Sequence, residues 1–73
     1  MFEKVKELLV EELQINPDDI TMDSSLSKDL GINSIELADL VMLCEDKFNI
    51  EINDEDIRKF TTVGDVVEYL ETL

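Results

Sequence analysis

The 73-residue chain contains no histidine and only one cysteine, Cys44. Serine and cysteine nucleophiles need a neighbouring base, most often histidine, so Ser-His-Asp and Cys-His arrangements are excluded. A single cysteine cannot form a disulfide within the chain, which fits a reducing compartment. We therefore expect neither nucleophilic catalysis nor internal cross-links.

Glycine is also scarce, because Gly31 and Gly64 are the only two. They are too far apart to build the glycine-rich loop that cradles phosphate groups. The acidic segment 53–56 lacks the spacing and the central glycine of a calcium loop. We expect no ordered metal site and no catalytic residue, so the chain is predicted not to be an enzyme.

Basic residues number six against nineteen Asp and Glu, which gives a net charge of −13. This charge repels nucleic acid and anionic membranes and favours basic protein partners. The first ten residues alternate in charge without a long apolar run. We therefore expect no signal peptide, no membrane insertion and a cytoplasmic location.

Apolar residues recur at helical spacing and predict an all-α fold, a small four-helix bundle with three longer helices and one short one. The predicted helices run from Phe2 to Gln14, from a cap at Asn33 to Phe48, from Asp54 to Lys59, and onward from a cap at Thr62. A long loop separates the first two helices, and loops of this length are often functional. We expect one domain over residues 1–73 and a monomer.

The second predicted helix has two apolar faces. At about 100° per residue, Leu37, Leu40, Val41, Cys44 and Phe48 fall within one arc, which we predict to face the core. Ile35 and Met42 lie outside that arc, beside Asp39 and Asp46. Exposed apolar residues rimmed by one sign of charge suggest a docking surface, although single exposed apolar residues are also ordinary.

Ser34 is predicted to lie in the first turn of this helix, after Asn33 as N-cap and with Glu36 completing a capping box. Free N–H groups and the positive end of the helix dipole would favour a phosphate ester there. Serine is also common at helix starts for structural reasons alone. Position therefore does not decide whether Ser34 is functional.

The run DLGINSIEL at residues 29–37 resembles the D-L-G-x-D-S-L motif of the acyl carrier proteins of bacterial type II fatty-acid synthesis. The likeness covers nearly the whole chain and includes residues 45–48, 51–55 and 60–65. Together with length, charge and helix order, the match is specific.

This resemblance implies a function for Ser34. The serine of the family's motif carries 4′-phosphopantetheine, which a phosphopantetheinyl transferase attaches from coenzyme A. The thiol of the arm holds an acyl chain as a thioester. The family also presents its second helix to basic patches on acyl-transfer and fatty-acid synthesis enzymes. The matching partner-binding positions are Ile35, Glu36, Asp39, Met42, Glu45 and Asp46.

The family shelters its acyl chain inside the bundle, and the resemblance implies a pocket there. The matching positions are Leu37, Val41, Cys44, Phe48, Ile52 and Ile57. Ordinary core packing explains these six residues equally well.

Two residues depart from the family's pattern: Asn33 replaces the usual aspartate and Ile35 the usual leucine. The missing charge leaves open which transferase and pathway use the chain. The motif and the net charge together predict a carrier for fatty-acid synthesis. The alternatives are a carrier of polyketide, aminoacyl or D-alanyl groups and a non-covalent acidic interaction module.

Overall fold

The computed structural model describes residues 1–73 and contains four α-helices. Their bounds are α1 (Phe2–Leu13), α2 (Ser34–Phe48), α3 (Asp54–Ile57) and α4 (Val63–Glu71). The predicted all-α fold, with three longer helices, one short helix and a long loop between the first two, is confirmed. No helix is both long enough and apolar enough to cross a membrane.

Two helix ends fall before their predicted positions for local reasons. Gln14 adopts a left-handed conformation (φ 55°, ψ 40°), so α1 ends at Leu13, and the N–H of Ile15 bonds back to the carbonyl of Leu9 at 3.2 Å. Such a left-handed end is a common helix stop. Past α3, the N–H of Phe60 bonds to the carbonyl of Ile57 at 3.1 Å, which is a tighter turn than an α-helix makes.

The core lies where α1 packs against α2 and α4. Each of these helices is amphipathic and turns its apolar face inward. The largest fully buried side chains are Leu9, Leu40, Val5, Val63, Val67 and Cys44. The predicted core face of α2 is confirmed, with Leu40, Val41 and Cys44 buried and its other two members half-buried.

The loop of residues 14–33 is fastened to the start of α4 by backbone hydrogen bonds. The N–H of Val63 donates to the carbonyl of Ser24 at 3.0 Å, and the N–H of Gly64 donates to the carbonyl of Met22 at 2.8 Å. First-turn N–H groups have no acceptor within their own helix. The loop therefore supplies two of the acceptors that α4 lacks, and it buries Ile20, Leu26 and Ile32 in the core.

Candidate functional site

The start of α2 is fixed by a capping box. The Oδ1 of Asn33 accepts from the N–H of Glu36 at 2.8 Å, and the Oε1 of Glu36 accepts from the N–H of Asn33 at 3.3 Å. The predicted cap is thus confirmed. Upstream, Gly31 has φ 66°, a left-handed conformation that glycine adopts without strain. This turn and this cap together determine where the chain enters α2.

Ser34 is the first residue of α2 and is exposed. Its own N–H and that of Ile35 have no acceptor within the protein, as expected in a first helical turn. The Ser34 hydroxyl is likewise free of side-chain hydrogen bonds within the chain. An anionic ester on this oxygen would lie near unpaired N–H donors and the positive end of the helix dipole.

Ser34 borders an open cleft of about 220 Å³ between the long loop, the start of α2 and the segment before α4. The cleft is lined by Leu26, Ser27, Ile32, Asn33, Ser34, Leu37, Phe60 and Thr61. Ser27, Phe60 and Thr61 were not predicted as site residues, and Leu26 was expected only to hold the long loop to the core. Sequence periodicity cannot reveal these residues as neighbours, because they come together only when the long loop packs against the segment before α4.

Of the six predicted pocket residues, Leu37 alone lines this cleft. Val41, Cys44 and Ile52 are buried in the core, while Phe48 and Ile57 are half-buried against it. An acyl pocket lined by these six residues therefore stays a prediction.

The outer face of α2 carries the predicted apolar residues. Ile35 is 75% exposed and Met42 is 62% exposed. Asp39 and Asp46 are exposed on the same helix. We call these four residues the α2 face. These two are the most exposed of the large apolar side chains, and both lie on α2, where they are available for contact.

The two other predicted partner residues also have structural roles. The carboxylate of Glu36 belongs to the capping box. The Oε2 of Glu45 accepts from the N–H of Ile52 at 2.9 Å, which ties the end of α2 to the segment before α3. A substitution at either position would therefore change local structure as well as surface charge.

The surroundings of Cys44 make its thiol unreactive. It is only 1% exposed, and burial, assisted by the negative charge of Glu45, raises its pKa to about 11. The thiolate is the reactive form of cysteine. Cys44 therefore behaves as a small apolar core residue.

The acidic surface is almost unpaired. The single ion pair joins Lys59 and Asp56 at 3.9 Å on the surface, where such pairs contribute little. No group of three or more cysteine or acidic side chains is arranged to hold a metal ion. The charge of the protein is therefore available to attract basic partners.

The protein is a small helical domain with an exposed serine at the start of a helix. A cleft lies beside this serine, and the α2 face combines apolar and acidic side chains. These are the features of a phosphopantetheine-bearing carrier domain. Comparison with known proteins supports this class, since the family model "Phosphopantetheine attachment site" matches residues 3–70.

Two curated relatives cover nearly the whole chain. The acyl carrier protein of Wolinella succinogenes is 49% identical over 72 residues, which span 99% of this chain and 95% of that protein. An acyl carrier protein of Clostridium perfringens is 47% identical over 70 residues, which span 96% of this chain and 92% of that protein. The chain belongs to the acyl carrier protein family, whose members are carriers rather than enzymes and whose cofactor is 4′-phosphopantetheine.

Proposed function

We propose that residues 1–73 form one acyl-carrier domain that holds acyl intermediates of fatty-acid synthesis on a 4′-phosphopantetheine arm attached to Ser34. One observation carries this proposal: the motif serine is exposed at the first residue of α2, next to unpaired N–H groups. The terminal thiol of the arm supplies the thioester chemistry.

Attachment requires a phosphopantetheinyl transferase, because no side chain of this chain hydrogen-bonds the Ser34 hydroxyl to accept its proton, and the nearby Glu36 carboxylate is held in the capping box. The Ser34 Oγ forms a bond to the β-phosphorus of coenzyme A, and the bond from that phosphorus to the adenosine bisphosphate portion breaks. The hydroxyl proton passes to a base of the transferase. The unpaired N–H groups of Ser34 and Ile35 would then be available to the resulting phosphodiester, which helix N-termini favour.

The cleft beside Ser34 offers a path for the arm. Its apolar wall of Leu26, Ile32, Leu37 and Phe60 lies next to the attachment residue. From this cleft an acyl chain would reach the predicted pocket, with Leu37 at its mouth. The other predicted lining residues are Val41, Cys44 and Ile52, which are buried in the core, and Phe48 and Ile57, which are half-buried against it. Shelter there would keep the thioester from water.

Partner enzymes would dock through the α2 face. Ile35 and Met42 provide apolar contact, Asp39 and Asp46 attract basic patches, and Glu36 and Glu45 add charge at its margins. Electrostatic attraction of this kind raises association rates more than it raises affinity. The same charge disfavours nucleic acid and self-association, so we propose a monomer acting in the cytoplasm.

Intact-mass measurement after incubation with coenzyme A and a bacterial phosphopantetheinyl transferase tests the assignment. We expect wild type and Ser27→Ala to gain one phosphopantetheine and Ser34→Ala to gain none. Ser27 is the matched control, because it is an exposed serine lining the same cleft. No gain in wild type would refute the carrier function, and a gain in Ser34→Ala would refute the site.

The presence of Asn33 where the family usually has aspartate favours a second candidate function, a carrier of polyketide, aminoacyl or D-alanyl groups. It keeps the helix cap but lacks the negative charge beside the attachment residue. Competition between malonyl and D-alanyl loading systems for the phosphopantetheinylated protein decides between pathways. Preferential malonyl loading supports fatty-acid synthesis, and preferential D-alanyl loading supports the alternative.

A further inference from the structure

The side-chain amide of Asn33 has a hydrogen-bond donor that the helix cap does not use. Its Oδ1 accepts from the N–H of Glu36 at 2.8 Å, so the Nδ2 group is the other end of the amide. Nδ2 donates to no atom of the protein. Aspartate would cap a helix as well as asparagine but has no such donor. Because Asn33 lines the cleft beside Ser34, the cleft contains a free N–H donor.

Thr61 brings a free hydroxyl to the same cleft from the segment before α4. The main-chain groups of Thr61 are occupied: its N–H donates to the Oδ2 of Asp65 at 2.9 Å, and its carbonyl accepts from the N–H of Leu26 at 2.9 Å. The hydroxyl makes no hydrogen bond within the chain. The backbone of Thr61 is therefore fixed beside the cleft, while its hydroxyl can still donate or accept.

The phosphopantetheine arm carries groups that match this lining. From the serine outward it has a phosphodiester, a carbon with two methyl groups, a hydroxyl, two amides and a thiol. None of the six basic residues lines the cleft, so the donors available to the phosphodiester are the Asn33 amide and the unpaired N–H groups of Ser34 and Ile35. Apolar surface for the methyl groups comes from Leu26, Ile32, Leu37 and Phe60.

We infer that the arm rests in this cleft when no partner enzyme holds it, with the Asn33 amide donating to its phosphodiester and the Thr61 hydroxyl bonding one of its amides. Hydrogen bonds to a charged acceptor are stronger than neutral ones. Covalent attachment at Ser34 keeps the arm at a high effective concentration, so a shallow open cleft is sufficient. The inference rests on the proposed function but goes beyond it, because a tethered arm need not touch the protein.

Nuclear magnetic resonance of the unloaded and the phosphopantetheine-loaded protein tests this inference. Intact mass first establishes that each loaded sample carries one phosphopantetheine. In wild type we expect nuclear Overhauser effects from the two methyl groups of the arm to the ring protons of Phe60. We also expect the chemical shifts of the Leu26 and Thr61 amides to differ between the two forms. Neither amide neighbours Ser34 in the sequence, so contact with the arm is required to shift them.

Two substitutions of Asn33 separate the donor from the charge. Asn33→Ser keeps a good N-cap and stays neutral but lacks the amide, so the equilibrium constant for resting in the cleft should fall about two- to tenfold, the range for losing one hydrogen bond. Asn33→Asp also keeps the cap but adds a negative charge beside the phosphodiester, so the fall should be larger. In both variants the shift differences at Leu26 and Thr61 should shrink. Thr61→Val, which removes only the hydroxyl, should weaken the Overhauser effects to Phe60.

Asn16→Asp is the matched control for the added charge. Asn16 is exposed and lies outside the cleft, and its Oδ1 caps the turn at residues 17–19 by accepting from the N–H of Asp18 at 2.9 Å. The substitution therefore makes the same change of charge at a similar cap. Its shift differences between unloaded and loaded forms should equal those of wild type.

Shift differences confined to residues 33–37 in loaded wild type, without Overhauser effects to Phe60, would overturn the inference, because the arm would then move freely in solvent. Unchanged shift differences in both Asn33 variants would overturn it as well, and so would an equal loss in Asn33→Asp and Asn16→Asp. In each case the loading of wild type would leave the carrier function standing. Failure of wild type to gain phosphopantetheine would instead refute that function and this inference with it.

Discussion

Gly64 should be intolerant of even a single added methyl group. A Cβ at this position would lie 2.8 Å from the carbonyl oxygen of Met22, which is the same oxygen that accepts the Gly64 N–H at 2.8 Å. The oxygen belongs to the backbone of the long loop, so Gly64→Ala forces the loop away from α4. We expect this substitution to weaken the attachment of the loop.

The cost can be worked from the bonds at stake. Moving the loop weakens the Gly64–Met22 bond and the neighbouring Val63–Ser24 bond, each worth about 0.5–1.5 kcal/mol net. Alanine is favoured over glycine inside a helix by roughly 0.5–1 kcal/mol, which offsets part of the loss. The middle of each range leaves a destabilisation of about 1.3 kcal/mol. For a domain of this size, this lowers Tm by roughly 5–10 °C.

Thermal unfolding followed by circular dichroism measures this effect, and amide hydrogen exchange locates it. Gly64→Ala should lower Tm and speed exchange at the amides of Val63 and Leu26. Gly31→Ala is the control, because its Cβ would meet nothing within 4 Å and only the positive φ of 66° opposes it. That variant should lose stability without faster exchange at Val63. A Tm for Gly64→Ala at or above that of wild type would refute the reasoning, because helix propensity alone predicts that result.

Three further predictions follow from side-chain environments. Burial raises the pKa of Cys44 to about 11, so its stabilising contribution is present below the unfolded pKa of about 8.5 and is lost as pH rises toward the folded value. Urea unfolding should show this alkaline loss in wild type, and its persistence in Cys44→Ala would contradict the cause. Two backbone N–H bonds lower the pKa of Asp65, so its contribution is present above about pH 3.9 and is lost as pH falls through the lowered folded pKa. Unfolding of Asp65→Asn should therefore depend less on acid pH than unfolding of wild type. An unchanged dependence would contradict the claim that the lowered pKa of Asp65 stabilises the protein. Asp39→Lys should slow loading by a basic partner at low salt without changing Tm, whereas Glu45→Lys should also lower Tm because it loses its bond to Ile52. Equal Tm values for the two variants would contradict the structural role of Glu45.

Local features of the fold could be predicted from the sequence because their causes lie within a few residues. The capping box of Asn33 with Glu36 forms as the spacing indicated, and Thr62 caps α4 as predicted, with Asp65 completing a second capping box. Asn49 ends α2 in a left-handed conformation. The separation of Ile35 from the core face needed only the helical period.

The features that escaped prediction depend on contacts between distant segments. Ser24 is buried, and its hydroxyl donates to the carbonyl of Asp19 at 2.7 Å, which no local pattern indicates. The bond from Glu45 to the N–H of Ile52 requires the turn after α2 to fold back. A groove between the end of α1 and the outer side of α2 likewise exists only once the two helices have packed; it is lined by Glu12, Leu13, Asp39, Met42, Leu43 and Asp46.

The candidate site divides in the same way. The motif and the capping residues predict Ser34 at the start of α2, where the structure has it. The cleft beside it could not be predicted, because Phe60 and Thr61 come to it through contacts between distant segments, such as the bond from the N–H of Leu26 to the carbonyl of Thr61 at 2.9 Å. The sequence therefore predicted where Ser34 lies in the fold, and the tertiary fold supplied its surroundings.

Tandem mass spectrometry of the wild-type protein, after phosphopantetheine transfer from coenzyme A, tests the central proposal most directly. The account predicts a single modified peptide, with the mass increment localised to Ser34 and absent from Ser24, Ser25 and Ser27. Localisation of the increment to any of those three serines, or an unmodified protein, would contradict it.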